Sequence, residues 1–295
     1  MDFLQKQEEY AEHIEAALQD VIPVDTVSPL GDAMRYSLLG GGKRLRPTLC
    51  LAANALLDGD RQEALPIACA LEMIHTYSLI HDDLPAMDND TLRRGKPTCH
   101  VVFGEAMAIL AGDGLLSCAF DTLLGNAARY PENMQAHIAA ACRVSRGAGI
   151  GGMVAGQCLD IEAEGRILEE TELYAIHRLK TGAMISAALD AGLLLCNPAS
   201  AEREAVAVYG ENLGLAFQIV DDILDVVGQE EALGKSIGKD READKLTFPK
   251  LYGMDKSRAL AKERTEQAQE ALRGVFFRRA DFLCELARRQ LERDR

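Results

Sequence analysis

The chain lacks the marks of several protein classes. It has no C-x-x-C pair among its eight cysteines (Cys50, Cys69, Cys99, Cys118, Cys142, Cys158, Cys196 and Cys284). That argues against a zinc ribbon or a dithiol redox centre. Most of these cysteines lie in apolar stretches, as expected of buried free thiols in a reducing compartment. It lacks basic excess: the net charge is −14 and the pI about 4.9, which excludes a general nucleic-acid binder. It lacks an apolar leader, since the opening MDFLQKQEEYAEH is polar and charged. The longest apolar runs, such as Ala183 to Cys196, are broken by Asp190 and fall short of a membrane span. A cytoplasmic protein with no membrane span is expected. Runs of β-branched residues alternating with polar ones are nearly absent, which argues against a sheet.

Helical periodicity fills the chain instead. It covers 4–21, 32–39, 47–57, 64–84, 105–127, 134–147, 169–192, 202–227, 257–272 and 280–293. Ala, Leu and Glu, all good helix formers, dominate. The segments 64–84 and 205–227 are apolar over most of their circumference and are expected at the centre. With 295 residues, 48% hydrophobic, and no linker, residues 1–295 read as a single all-α domain, a helical bundle. The loops 88–100 and 229–247 are long and charged, as functional loops often are.

Two aspartate clusters stand out. Asp82 and Asp83 end an apolar helix. Pro85 lacks an N–H and should break that helix, letting the chain bend so that Asp88 returns toward Asp82. In the second cluster, Asp221 and Asp225 are four apart and share a helix face, while Asp222 points elsewhere. The Asp221–Asp225 repulsion, about 0.2–0.5 kcal/mol if exposed and more if desolvated, is removed by a bound cation. All-carboxylate ligation selects a hard ion, and Mg²⁺ suits sites shared with phosphates. A solvated helix end explains one such cluster; two on apolar helices need a ligand.

Cations answer the aspartates. Lys43, Arg44 and Arg46 follow the glycines 40–42, and Arg93, Arg94 and Lys96 follow the first cluster. Lys180 sits in an otherwise apolar helix, and Lys235, Lys239 and Lys245 lie beyond the second cluster. Guanidinium forks suit phosphate oxygens. Carboxylates for Mg²⁺ and cations for phosphate, at the mouth of an apolar bundle, suit a ligand with a diphosphate head and a hydrocarbon tail.

The motifs GGKRLRP, HTYSLIHDDLPAMDNDTLRRGKPTCH, FGEAMAILAGD, GQCLDI, HRLKTGAMI, GLAFQIVDDILD and LGKSIGKDREADKLTFP, in this order, resemble the trans-isoprenyl diphosphate synthases, in their bacterial farnesyl diphosphate synthase form. The resemblance runs from about Tyr36 to Tyr252. It implies an isoprenoid-synthase helical bundle with a central active-site cavity. It implies a prenyltransferase joining isopentenyl diphosphate to allylic diphosphates, most often as a homodimer. Asp82, Asp83 and Asp88 match the first metal motif, and Asp221, Asp222 and Asp225 the second; together they imply about three Mg²⁺ ions. Arg93, Lys180 and Lys235 match the cations on the allylic diphosphate, with Lys245 on a closing loop. Lys43, Arg46, His75 and Arg94 match the isopentenyl diphosphate pocket, and Thr181 and Gln218 line the reacting carbons. An aromatic residue at Tyr77, beside the small Ser78, goes with a C15 product; geranylgeranyl diphosphate is the rival. Gly114 and Phe248 stand where alanine and tyrosine are commoner in the family. A metal-dependent phosphohydrolase leaves the second cluster unexplained. A non-catalytic synthase subunit would not need both clusters. A terpene cyclase would not need the pocket around Lys43, Arg46 and His75.

Overall fold

A computed structural model describes residues 2–166, 168–227 and 246–292. Lys235 and Lys245, together with Lys239, lie outside the described residues.

The order is α1 (Phe3–Asp20), α2 (Ser28–Leu38), α3 (Leu45–Ala55), α4 (Arg61–Asp82), a two-residue ladder of β1 (Leu92–Arg93) with β2 (Lys96–Pro97), α5 (Cys99–Phe103), α6 (Glu105–Arg129), α7 (Met134–Ala148), α8 (Met153–Glu162), α9 (Glu170–His177), α10 (Ala183–Leu194) and α11 (Ser200–Val227). The helices Phe248–Tyr252, Met254–Phe276 and Asp281–Leu291 follow the gap. The fold is all-α, as the periodicity indicates.

Two of the long helices, α1 and α4, start where a side chain satisfies their first N–H groups. Asp2 caps α1 in a reciprocal box with Gln5, and Asp60 Oδ1 accepts from Gln62 N at 2.8 Å to open α4. α4 is buried on most sides, from Ala64 to Ile80. It packs on α3 and α6, and α11 packs along Met254–Phe276.

One expectation changes. The helix buried all round, besides α4, is α10 rather than α11. Within α10, Met184, Ile185, Ala187, Ala188, Leu189, Ala191, Gly192 and Leu193 are buried. Its one charge, Asp190, meets Arg143 Nε at 2.6 Å. α11 instead turns Glu204, Val208 and Glu211 to solvent. Gly192 lets α10 lie against α3, since a Cβ there would sit 2.0 Å from the Cys50 carbonyl oxygen. The cysteines are all free; Cys50, Cys69, Cys99 and Cys284 are buried, but Cys142 and Cys158 are exposed.

Two features lay hidden in the periodicity. α9 and α10 are joined by a π turn, Arg178–Gly182. α8 was not expected, because the glycines before it obscure its start. α8 packs on the π turn so closely that a Cβ on Gly156 would lie 2.1 Å from the Lys180 backbone nitrogen. By length and composition α6 alone among the described helices qualifies as a membrane span, where the sequence runs looked too short. It carries Asp113 and Asp121 and packs one face on α2 and α4.

Candidate active site

α3, α4, α8, α9, the π turn and α11 enclose a cavity of about 1400 Å³. α4 delivers the first aspartates. Its last residue is Asp82, and beyond Pro85 the chain folds back so that Asp88 N donates to the Asp82 carbonyl at 2.8 Å. Both side chains line the cavity. Burial pushes the Asp82 carboxyl up to about 6; Lys180 pulls against this and Asp88 adds to it.

Asp83 departs from the expected metal set. Its carboxylate is 3% exposed and lines a separate small pocket with Arg93 rather than the main cavity. Arg93 Nε donates to both of its oxygens at 2.8 and 2.9 Å, and Arg93 Nη2 lies 2.5 Å from Oδ1. Adjacent helical residues point about 100° apart, so Asp82 and Asp83 cannot both face one ion squarely. Arg93, which also lines the main cavity, is held by this fork, with Asp90 at 3.9 Å.

On α11, Asp221 and Asp225 line the same cavity. Asp222 also borders it but is 5% exposed, and its Oδ2 accepts the Phe248 backbone N–H at 2.9 Å. That bond ties α11 to the helix Phe248–Tyr252. His177 lies beside it, with Nε2 3.7 Å from Asp222 Oδ2 and its ring stacked on Phe248. Burial pushes His177 down to about 4.

The basic run after Gly42 divides. Arg44, with φ at 47°, turns inward to Glu15 and Glu72, at 2.7 Å each, and donates to Leu38 O. Lys43 and Arg46 line the cavity. Arg46 Nε is buried and has no hydrogen-bond partner, the state of a donor that awaits an anion. Beside Arg46 stand His75 and Arg94. Burial and then Arg46 hold His75 well below its ordinary value, so the imidazole is neutral. Arg94 hydrogen-bonds the Gly41 carbonyl.

The π turn aims Lys180 and Thr181 into the cavity, as such bulges often do at functional sites. Lys180 Nζ lies 2.7 Å from Asp160 Oδ2. Thr181 Oγ1 donates to Gln218 Oε1 at 2.5 Å. Tyr77, 7% exposed, lines the cavity, with Ser78 beside it donating to the His75 carbonyl at 2.9 Å. Gln157, Asp160 and His177, all cavity residues, were missed by sequence reasoning. A lysine on an apolar helix needs an acid, and Asp160 of GQCLDI supplies it.

A polyprenyl synthetase family model matches residues 27–275. The chain belongs to this family. A farnesyl diphosphate synthase of Geobacillus stearothermophilus is 46% identical over 282 residues, 94% of each chain. A geranylgeranyl diphosphate synthase of Cyanophora paradoxa is also 46% identical, over 90% of this chain and 88% of that one. The crystal structure of an FPP/GFPP synthase from Zymomonas mobilis superposes with a TM-score of 0.87 at 36% identity, covering 98% of both. The polyprenyl synthetase fold is thus that of this chain, while relatives equally similar carry different product names.

Proposed function

We propose that this enzyme condenses isopentenyl diphosphate with dimethylallyl and then geranyl diphosphate and releases farnesyl diphosphate. The observation that carries this is one cavity lined by both aspartate clusters, by Lys43, Arg46, Arg93, Arg94 and Lys180, and by Tyr77. The donor set fits Mg²⁺: it is all oxygen, and burial makes the Asp82 carboxylate costly without a counter-cation. Asp82 and Asp88 of the first cluster and Asp221 and Asp225 of the second would hold the metal. Bound there, Mg²⁺ stabilises the charge that develops on the departing diphosphate.

The side chains divide the remaining work. Lys180 and Arg93 hold the allylic diphosphate. Lys43, Arg46, Arg94 and neutral His75 hold isopentenyl diphosphate, with the unpartnered Arg46 Nε as a ready donor. As the allylic carbon–oxygen bond breaks, the π electrons of isopentenyl diphosphate form the new carbon–carbon bond. The released diphosphate takes the proton. Thr181 and Gln218 set dipoles beside the reacting carbons. The apolar wall excludes water, which would capture the cation.

Tyr77 lies five residues before Asp82, so its Cα is about 7.5 Å deeper along α4, and its side chain tilts deeper still. A phenol ring there floors the cavity under a C15 tail. The test is chromatography of the dephosphorylated products made from dimethylallyl and isopentenyl diphosphates. A dominant C15 alcohol is expected. A dominant C20 alcohol rejects the floor, and turnover of allylic diphosphate without isopentenyl diphosphate points to a hydrolase.

The homodimer is part of the proposal. α6 leaves Ile109, Leu110 and Leu124 about half exposed, beside Ile138 of α7, and a second copy covers this face. Sedimentation at micromolar concentration checks it.

A further inference from the structure

On α4 the Tyr77 ring meets His81, which stands one turn nearer the helix's C-terminal end. Residues four apart on a helix meet, and the Tyr77 and His81 rings pack edge to face at 5.8 Å and 83°. On its other side His81 reaches across to α6. Its Nε2 lies 3.1 Å from the Ile109 carbonyl oxygen. A carbonyl only accepts, so Nε2 carries the proton and the tautomer is set.

The ring has room for this because of Gly112. A Cβ there would stand 2.1 Å from His81 Nε2 and 2.5 Å from Cδ2. Any other residue at 112 displaces the imidazole. Gly112 is fully helical within α6 and has an ordinary negative φ, so backbone conformation gives no reason for glycine. Glycine costs about 1 kcal/mol against alanine in such a place. The reason visible is the histidine seated on it.

We propose that His81, seated on Gly112 and tethered to the Ile109 carbonyl, is a specificity-determining positioning residue that holds the Tyr77 ring across the cavity floor. The inference rests on Tyr77 being the floor. His81 lines the cavity between Tyr77 and the aspartates, yet has no role in ionisation or condensation. Its tether runs to a neighbouring helix rather than to its own, so it fixes the ring against the wall instead of letting both swing together. Loosening it lets the phenol rotate aside as the tail lengthens.

The test compares product length in Tyr77→Ala, His81→Leu, His81→Gln and Gly112→Ala, each assayed from dimethylallyl and isopentenyl diphosphates. Tyr77→Ala, which removes the floor, should make C20. His81→Leu keeps bulk but loses the donor, and Gly112→Ala pushes the ring off its carbonyl. Both should raise the C20 share several-fold while still condensing. His81→Gln retains an N–H donor and should remain mostly C15. If Tyr77→Ala gives C20 while His81→Leu and Gly112→Ala stay at C15, the tether is overturned and the floor stands. If Tyr77→Ala itself stays at C15, the floor reading fails, and the tether with it. Equal C20 shares from His81→Gln and His81→Leu overturn the role of the hydrogen bond. Should Gly112→Ala not fold, the two His81 variants still decide.

Discussion

The Thr181 hydroxyl donates to Gln218 Oε1 over 2.5 Å, tying the π turn to α11 at the cavity wall. Thr181 is 8% exposed, so the bond is shielded from water and fixes the orientation of the Gln218 amide. Thr181→Val keeps the volume and removes the donor. A loss of about 1.4 kcal/mol from one buried hydrogen bond lowers turnover by about tenfold. Steady-state kinetics should show this fall in kcat with little change in KM for isopentenyl diphosphate. Unchanged kcat in a folded variant removes Gln218 orientation from the mechanism.

Asp82, Asp88, Asp221 and Asp225 share one cavity. Chelation with EDTA should abolish condensation, and Asp82→Ala or Asp221→Ala should each cost about 10²–10³-fold in turnover, the scale of lost charge stabilisation at a leaving group. Wild-type turnover in either variant at saturating Mg²⁺ contradicts the assignment.

Asp83 should behave differently from its neighbour. Its carboxylate orients Arg93 through a two-oxygen fork. Asp83→Asn therefore should raise KM for the allylic substrate by about tenfold, the worth of a misaligned charged bond, and leave the Mg²⁺ concentration for half-maximal rate as in wild type. Asp82→Asn should shift that Mg²⁺ requirement. A Mg²⁺ curve displaced equally in both variants returns Asp83 to the metal.

How far the sequence spoke for this arrangement differs from residue to residue. The end of α4 was legible, because an apolar period runs into Asp82 and Pro85 forbids continuation. The return of Asp88 to the Asp82 carbonyl follows from the same break. The pairing of Asp83 with Arg93 was not legible: two adjacent aspartates are the same letter, and only the three-dimensional course of the β1–β2 ladder brings Arg93 back. The π turn shifts the helical phase between α9 and α10, but α10 is apolar all round, so the shift leaves no mark in the period. α11 looked central because its Ala and Val positions count as apolar, yet Glu204 and Glu211 mark a solvent face. Arg44, Lys43 and Arg46 were alike as charges; the positive φ at Arg44 sends it to Glu15 and Glu72 and leaves the other two to the cavity.

The last prediction concerns His75 and acid. Its imidazole is held well below the ordinary 6.5, first by burial and then by Arg46, Arg94, Arg93 and Arg44. The unfolded chain therefore takes a proton at His75 as pH falls below 6.5, while the folded chain refuses it. The stability linked to this group is present above 6.5 and is lost as pH falls toward the depressed native value, at up to about 1.4 kcal/mol per pH unit. Urea unfolding of the ligand-free protein at pH 7.5, 6.5 and 5.5 should show that decline. His75→Gln, which keeps a polar side chain and cannot titrate, should show a shallower one. Arg46→Ala should also flatten it, because one of the cations that keeps the proton away is gone. Parallel pH profiles for wild type and His75→Gln contradict a neutral His75 in the fold, and with it the reading that His75 meets diphosphate as an uncharged N–H donor.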